Sequence, residues 1–160
     1  MENISKLLVD ILDDAFEGAG WHGPHNLINT IGGLTLDKLV FPSPHEGYCI
    51  WQIVLHCAYT KWNARKVLIG DRAEAFDRSP ADFPSLPTVR SMETWRKDLA
   101  LLNVQHAELR QVVRDFPSEL LWKNATGQEK DQANVKYIYG VAAHDIYHTA
   151  QIRNMGIPGL

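Results

Sequence analysis

The chain has 160 residues, of which 45% are hydrophobic and 22% charged, which is the composition of a globular protein with a core of its own. A net charge of −3, with no run of basic residues, argues against nucleic acid as a main partner. No apolar run approaches the roughly 18 residues that cross a bilayer, so we expect no membrane partner. From the length we expect a single domain over residues 1–160.

A helical period governs the first part of the chain. Apolar residues recur at i, i+3, i+4, i+7 and i+8 from Ile4 onward, with acidic residues on the opposite side. This pattern predicts an amphipathic helix from about residue 3 to the glycines at 18 and 20. The segments that follow are shorter: a loop at 21–24, helical turns at 25–30 and 35–39, and a break at Pro42 and Pro44.

Three longer helices are predicted in the rest of the chain. They cover residues 48–69, 91–115 and 134–155, and they stop at Gly70, Pro117 and Gly156. Between Trp95 and Phe116, apolar positions alternate spacings of four and three, as in the seam of a helical bundle. Together with the first helix, these segments predict an all-α four-helix bundle. The segment 77–87, with its three prolines, is predicted to be a linker or lid.

Two cysteines, Cys49 and Cys57, fall eight residues apart on one predicted helix. The helical rise separates them by about 12 Å, which is too far for a disulfide between them. The first residues also lack the basic start and the continuous apolar stretch of a signal peptide. These observations predict a cytoplasmic protein with reduced thiols.

A pair of histidines lies in the last predicted helix. His144 and His148 are four residues apart, so their side chains lie about one turn apart on one helical face. That face also carries apolar residues and is expected to turn inward, where imidazoles need polar partners. From the residues alone, the pair predicts either a metal site or hydrogen-bonded core histidines, with about equal weight.

His56 is the candidate third imidazole. It shares a side of its predicted helix with Gln52, Thr60 and Asn63, a polar strip that either lines a pocket or faces solvent. A third imidazole from an antiparallel helix would complete a three-nitrogen site with open positions, which is how catalytic metal sites are built. Three neutral imidazoles suit zinc, nickel or iron(II) better than calcium or magnesium.

Other polar residues are candidates for the same site. His106 lies on the bundle seam and is a possible fourth ligand, although a hydrogen-bonded core histidine is the favoured interpretation. Asp145 is a candidate to orient a ligand imidazole, or to pair with an arginine. Gln151 and Tyr147, like Gln52, are candidates for positions around the site.

Two segments resemble the DinB/YfiT-like superfamily. Residues 49–56, C-I-W-Q-I-V-L-H, resemble its S-I-W-x-x-x-x-H segment, and residues 144–152, H-D-I-Y-H-T-A-Q-I, resemble its H-x-x-Y-H-x-x-Q-I segment. The loop at 21–24 is similar to the loop after the first helix in the YfiT-like branch. Where the family often has Ser or Thr, this chain has Cys49, which is a poorer helix cap.

The resemblance implies a bundle in up-down-down-up order, with a divalent metal, usually nickel or zinc, held by His56, His144 and His148. Family members are described as metal-dependent hydrolases, and relatives transfer or isomerise small molecules with low-molecular-weight thiols such as bacillithiol or mycothiol. Many are homodimers. The expected function is therefore a metal-dependent hydrolase or thiol S-transferase with a small-molecule substrate. The alternatives are a non-catalytic metal-binding or stress-response bundle, and a metal-free dimeric interaction module.

Overall fold

A computed structural model describes residues 2–19, 23–43, 47–71, 74–124 and 132–159. Within these ranges the chain forms α-helices and no β-strand, which confirms the predicted all-α class. The helices are α1 (Glu2–Phe16), α2 (Leu27–Ile31), α3 (Leu36–Leu39), α4 (Ile50–Ile69), α5 (Met92–Asp115) and α6 (Asn134–Arg153). A 3-10 turn at Ser118–Leu120 follows α5.

The helix ends follow local signals in the sequence. Gly70 ends α4 with a left-handed φ of 71°, a conformation that glycine adopts without strain. Ser91 caps the start of α5, where its hydroxyl accepts a hydrogen bond from the Thr94 N–H at 3.2 Å. The long helices are confirmed to within two residues. Of the predicted loop at 21–24, residues 21 and 22 lie outside the described ranges, as does Pro44.

The four long helices pack as a bundle. Helix α4 contacts both α5 and α6, and α1 contacts the same two helices, so α1 and α4 lie on opposite sides of the bundle. The up-down-down-up order of the helices stays a prediction. None of the helices in the described ranges is both long and apolar enough to cross a bilayer.

The core includes a hydrogen-bonded aromatic pair between α4 and α5. Trp51 is fully buried and packs edge-to-face on Trp95 with ring centroids 5.5 Å apart. Its indole N–H donates to Asp98 at 2.8 Å, and Asp98 also accepts from the Arg78 guanidinium at 2.6 Å. Because Arg78 lies in the connection between α4 and α5, this buried carboxylate ties the connection to the bundle.

His106 is a core histidine on the α5 seam. Its ring stacks on Phe16 with centroids 3.8 Å apart, and its Nε2 lies 3.2 Å from a carboxylate oxygen of Asp13. Burial and the Lys61 ammonium lower the pKa of His106 to about 4, although Asp13 opposes the shift. This is the hydrogen-bonded core histidine that the sequence favoured over a fourth ligand.

The depressed pKa of His106 predicts a loss of stability in acid. The unfolded chain takes up this proton near pH 6.5, whereas the folded protein holds His106 neutral down to about pH 4. Its contribution is therefore complete above pH 6.5 and is lost as the pH falls toward 4. Between pH 6.5 and pH 4, the free energy of unfolding should therefore fall by up to about 3 kcal/mol less in His106→Gln than in the wild type. Urea unfolding at several pH values measures this difference. Equal pH slopes in the two proteins would contradict the assignment.

Candidate metal centre

The three histidines singled out in the sequence meet between α4 and α6. His144 Nε2 lies 2.9 Å from His56 Nε2 and 3.0 Å from His148 Nε2. Nitrogens that ligate one ion at about 2.0–2.1 Å lie at about this separation from one another. His56 and His148 are buried and His144 is partly buried, so the three side chains could hold a metal ion.

His56 is oriented by the connection between α4 and α5. Its Nδ1–H donates to the backbone carbonyl of Asp82 at 2.7 Å, and the Asp82 carboxylate lies 3.0 Å from the same nitrogen. Because a carbonyl oxygen only accepts, the proton is assigned to Nδ1, and Nε2 keeps its lone pair. Phe83 stacks on the ring, with centroids 3.9 Å apart and planes 7° from parallel. The segment predicted as a linker or lid therefore covers His56.

His148 is oriented from within its own helix. Its Nδ1 lies 2.5 Å from the amide oxygen of Gln151, to which it donates, so its Nε2 lone pair is turned toward the other two histidines. The sequence predicts that Gln151 lies around the site. The structure places it there, in contact with a candidate ligand.

His144 lies between the other two rings. Since His56 and His148 carry their protons on Nδ1, one proton on His144 Nε2 can reach only one of the two facing lone pairs. A purely hydrogen-bonded cluster therefore leaves the Nε2 lone pair of either His56 or His148 without a donor, whereas one cation attracts the Nε2 lone pairs of all three neutral rings. The donor set fits a metal ion better than a hydrogen-bonded core.

The protonation state of His144 points in the same direction. Burial, together with the neighbouring His148, His56 and Lys61, lowers the pKa of His144 to about 3. The ring is therefore neutral at physiological pH, which is the form that ligates metals.

A second group of potential ligands adjoins the first. One ring nitrogen of His144, the Cys57 sulfur and a carboxylate oxygen of Asp145 lie within 4.8 Å of one another. Burial and the nearby Asp145 raise the pKa of the Cys57 thiol in the metal-free protein, so Cys57 would have to lose a proton to bind a metal, whereas a neutral imidazole would not. Asp145 is fully buried and pairs with Lys61, rather than with an arginine as one alternative held. The three histidines are the better donor set.

Gln52 and Tyr147, the two remaining candidates, make contacts that do not depend on a metal ion. The Gln52 amide oxygen accepts a hydrogen bond from the Cys49 N–H at 3.3 Å, so this side chain caps the start of α4. Tyr147 contacts His148 edge-on at 5.0 Å, and 61% of its surface is exposed. Their roles around a metal ion stay predictions.

The residues that sequence analysis missed are Asp82, Phe83 and Lys61. Asp82 and Phe83 lie in an irregular segment where no periodicity points to a site. The signals present were an aspartate, which adopts the left-handed region more readily than most residues, and an aromatic next to it. For Lys61, the signal was a cation on an apolar helix, five residues after His56.

The left-handed backbone of Asp82 gives a test of the connection. Its φ is 74°, so Asp82→Gly should leave the free energy of unfolding within about 1 kcal/mol, because glycine relieves strain and retains the carbonyl that holds His56. The β-branched Asp82→Val should lower it by about 1–3 kcal/mol. Urea unfolding of both variants measures the difference. A valine variant as stable as the glycine variant would contradict the observed conformation.

One family model matches most of the chain. It is the model of the DinB superfamily, and it covers residues 22–152, which include α4, α5 and all three histidines. No curated protein and no solved structure matched the chain.

Proposed function

Because the chain belongs to the DinB superfamily, we propose that it binds one divalent metal ion through the Nε2 atoms of His56, His144 and His148. The observation that carries this proposal is that His144 Nε2 lies about 3 Å from the Nε2 atoms of both His56 and His148, with only one proton available for the two contacts. Nickel and zinc are the proposed metals, with iron(II) as the third choice, because neutral imidazoles suit these ions.

The proposed activity is hydrolysis of a small molecule or transfer of a low-molecular-weight thiol to it. His56, His144 and His148 would hold the ion, and a divalent ion there would supply the Lewis-acid chemistry that activates water or a thiol near neutral pH. The chain's own residues hold the ligands in place: Asp82 and Gln151 accept the Nδ1 protons of His56 and His148.

The nucleophile in this proposal comes from solution. Cys49 and Cys57 are both buried, and burial raises the pKa of each thiol, so neither offers a thiolate at neutral pH. Water or a low-molecular-weight thiol remains as the attacking group. A homodimeric state and a cytoplasmic location stay predictions.

Turnover by the metal-loaded protein tests the proposed activity. Zinc- and nickel-loaded protein should hydrolyse a chromogenic ester, or conjugate a chloronitrobenzene electrophile when a low-molecular-weight thiol is added, and His148→Ala should do neither. A rate that depends on the thiol identifies a transferase, and a rate that does not identifies a hydrolase. Bound metal without turnover in broad screens would favour the non-catalytic metal-binding bundle. A chain that binds no metal would favour the interaction module.

A further inference from the structure

A buried ion pair lies next to the three histidines. Lys61 of α4 and Asp145 of α6 are each 0% exposed, and the Lys61 ammonium donates to Asp145 Oδ2. Burial of two charges is costly unless both are paired and their remaining polar atoms are satisfied. Here the second carboxylate oxygen, Asp145 Oδ1, is buried and has no hydrogen-bond partner within the described part of the chain.

A matching donor lies in the same cluster. His144 Nε2 is turned toward His56 and His148, so the nitrogen that remains is Nδ1, and it too is buried without a hydrogen-bond partner among the described residues. When Nε2 of an imidazole ligates a metal, Nδ1 carries the proton. The residues that carry this donor and this acceptor, His144 and Asp145, form a group with Cys57 in which one potential ligand atom of each residue lies within 4.8 Å of the others.

The other two candidate ligands, His56 and His148, each have a hydrogen-bond acceptor for the Nδ1 proton. His56 Nδ1 donates to Asp82, and His148 Nδ1 donates to Gln151. Metal-ligating histidines nearly always donate their second ring N–H to a carboxylate, a carbonyl or water, which fixes the ring and raises its basicity. Asp145 is the carboxylate placed to complete the set.

We propose that in the metal-bound protein Asp145, held by Lys61, is a positioning residue that accepts the Nδ1 proton of His144, directly or through the Cys57 thiol, and so directs Nε2 to the metal. This inference rests on the proposed metal site. The thiol is suited to the intermediate position because a protonated cysteine both donates and accepts hydrogen bonds, although weakly. The buried Lys61–Asp145 pair would thereby raise the affinity of the site for the metal.

The zinc affinity of metal-free protein, measured by competition with a chromophoric chelator, tests the proposal. Asp145→Asn keeps the side-chain shape but removes the charge, and should weaken zinc binding about 10–100-fold. The double variant Lys61→Met/Asp145→Leu removes both charges, so it should be more stable than Asp145→Asn, which leaves the Lys61 charge buried and unpaired. It should nevertheless bind zinc as weakly as Asp145→Asn, or more weakly. Wild-type affinity in the double variant would overturn the proposal, because the pair would then be structural only.

A matched control is Asp13→Asn, which disrupts the ion pair with Arg110 at another place between helices. It should leave zinc affinity unchanged. The absorption bands of bound cobalt(II) give an independent readout, and they should shift in Asp145→Asn but not in Asp13→Asn.

If the Asp145 variants fail to fold, nuclear magnetic resonance of the zinc-loaded wild type still decides. The Nδ1 proton of His144 should exchange slowly and resonate downfield, as expected for a proton bonded to an acceptor inside the core. A rapidly exchanging Nδ1 proton would overturn the proposal. A wild type that binds no zinc would overturn the proposed function as well, whereas tight zinc binding by every variant would overturn this inference alone.

Discussion

Replacing Lys61 with Met should lower the free energy of unfolding by about 3–5 kcal/mol, the usual loss when one partner of a buried ion pair is removed. The Lys61 side chain is fully buried, and its ammonium donates to the carboxylate of Asp145, which is equally buried. Methionine fills a similar volume, so the loss arises mainly from the carboxylate left without its counter-charge. Urea unfolding at neutral pH, on metal-free protein, measures the effect.

Lys97→Met is the matched control for this substitution. Lys97 also pairs with a carboxylate, that of Glu93 one helical turn away, but both side chains are more than 60% exposed. Loss of such a surface pair should cost no more than about 0.5 kcal/mol. Similar losses in the two variants would contradict the buried pairing of Lys61.

Replacing His56 with Ala should weaken zinc binding by more than about 100-fold. This loss is larger than the one usually seen when a residue that hydrogen-bonds to a metal ligand is replaced. His56 supplies one of the three converging nitrogens, and its loss leaves only His144 and His148. Isothermal titration of metal-free protein with zinc measures the affinity.

His106→Ala is the control for His56→Ala. His106 is also a buried histidine on a bundle helix, yet it bonds to Asp13 and stacks on Phe16, apart from the three-histidine group. The variant should be less stable but should retain zinc affinity. Comparable losses of affinity in both variants would refute the choice of ligands.

The long helices could be predicted from the sequence because their signals are local. Apolar residues follow the helical period, and α4 and α5 end close to Gly70 and Pro117, where the apolar pattern ends. The bundle follows from the seam between Trp95 and Phe116, which is buried at all but one of its apolar positions. The order of helix directions depends on long connections whose path no local pattern determines.

The approach of the three histidines was only partly predictable. The spacing of His144 and His148 places them on one face, but His56 lies 88 residues away from His144, and a polar strip does not reveal its partner. Only the resemblance of both segments to one family joined them. The residues alone are equally compatible with a metal site and with a hydrogen-bonded core.

The contacts that orient the ligands were not predictable, because they depend on tertiary structure. Asp82 reaches His56 through its backbone carbonyl, which any residue possesses, so its identity carries little information. Lys61 was overlooked because lysine is almost never fully buried, and an arginine was the more ordinary expectation for the partner of Asp145. The Gln52 amide caps α4 beside Cys49, a contact that depends on the helix start and that the polar strip does not reveal.

The metal content of protein purified without a histidine tag, measured by mass spectrometry for the wild type and His148→Ala, tests the central claim most directly. We expect close to one nickel, zinc or iron ion per wild-type chain and a near-complete loss in the variant, with both proteins folded by circular dichroism. A wild type that carries no metal, even after incubation with each ion and removal of the excess, would contradict the claim. The three imidazoles would then be structural, and the hydrogen-bonded core would be the correct interpretation.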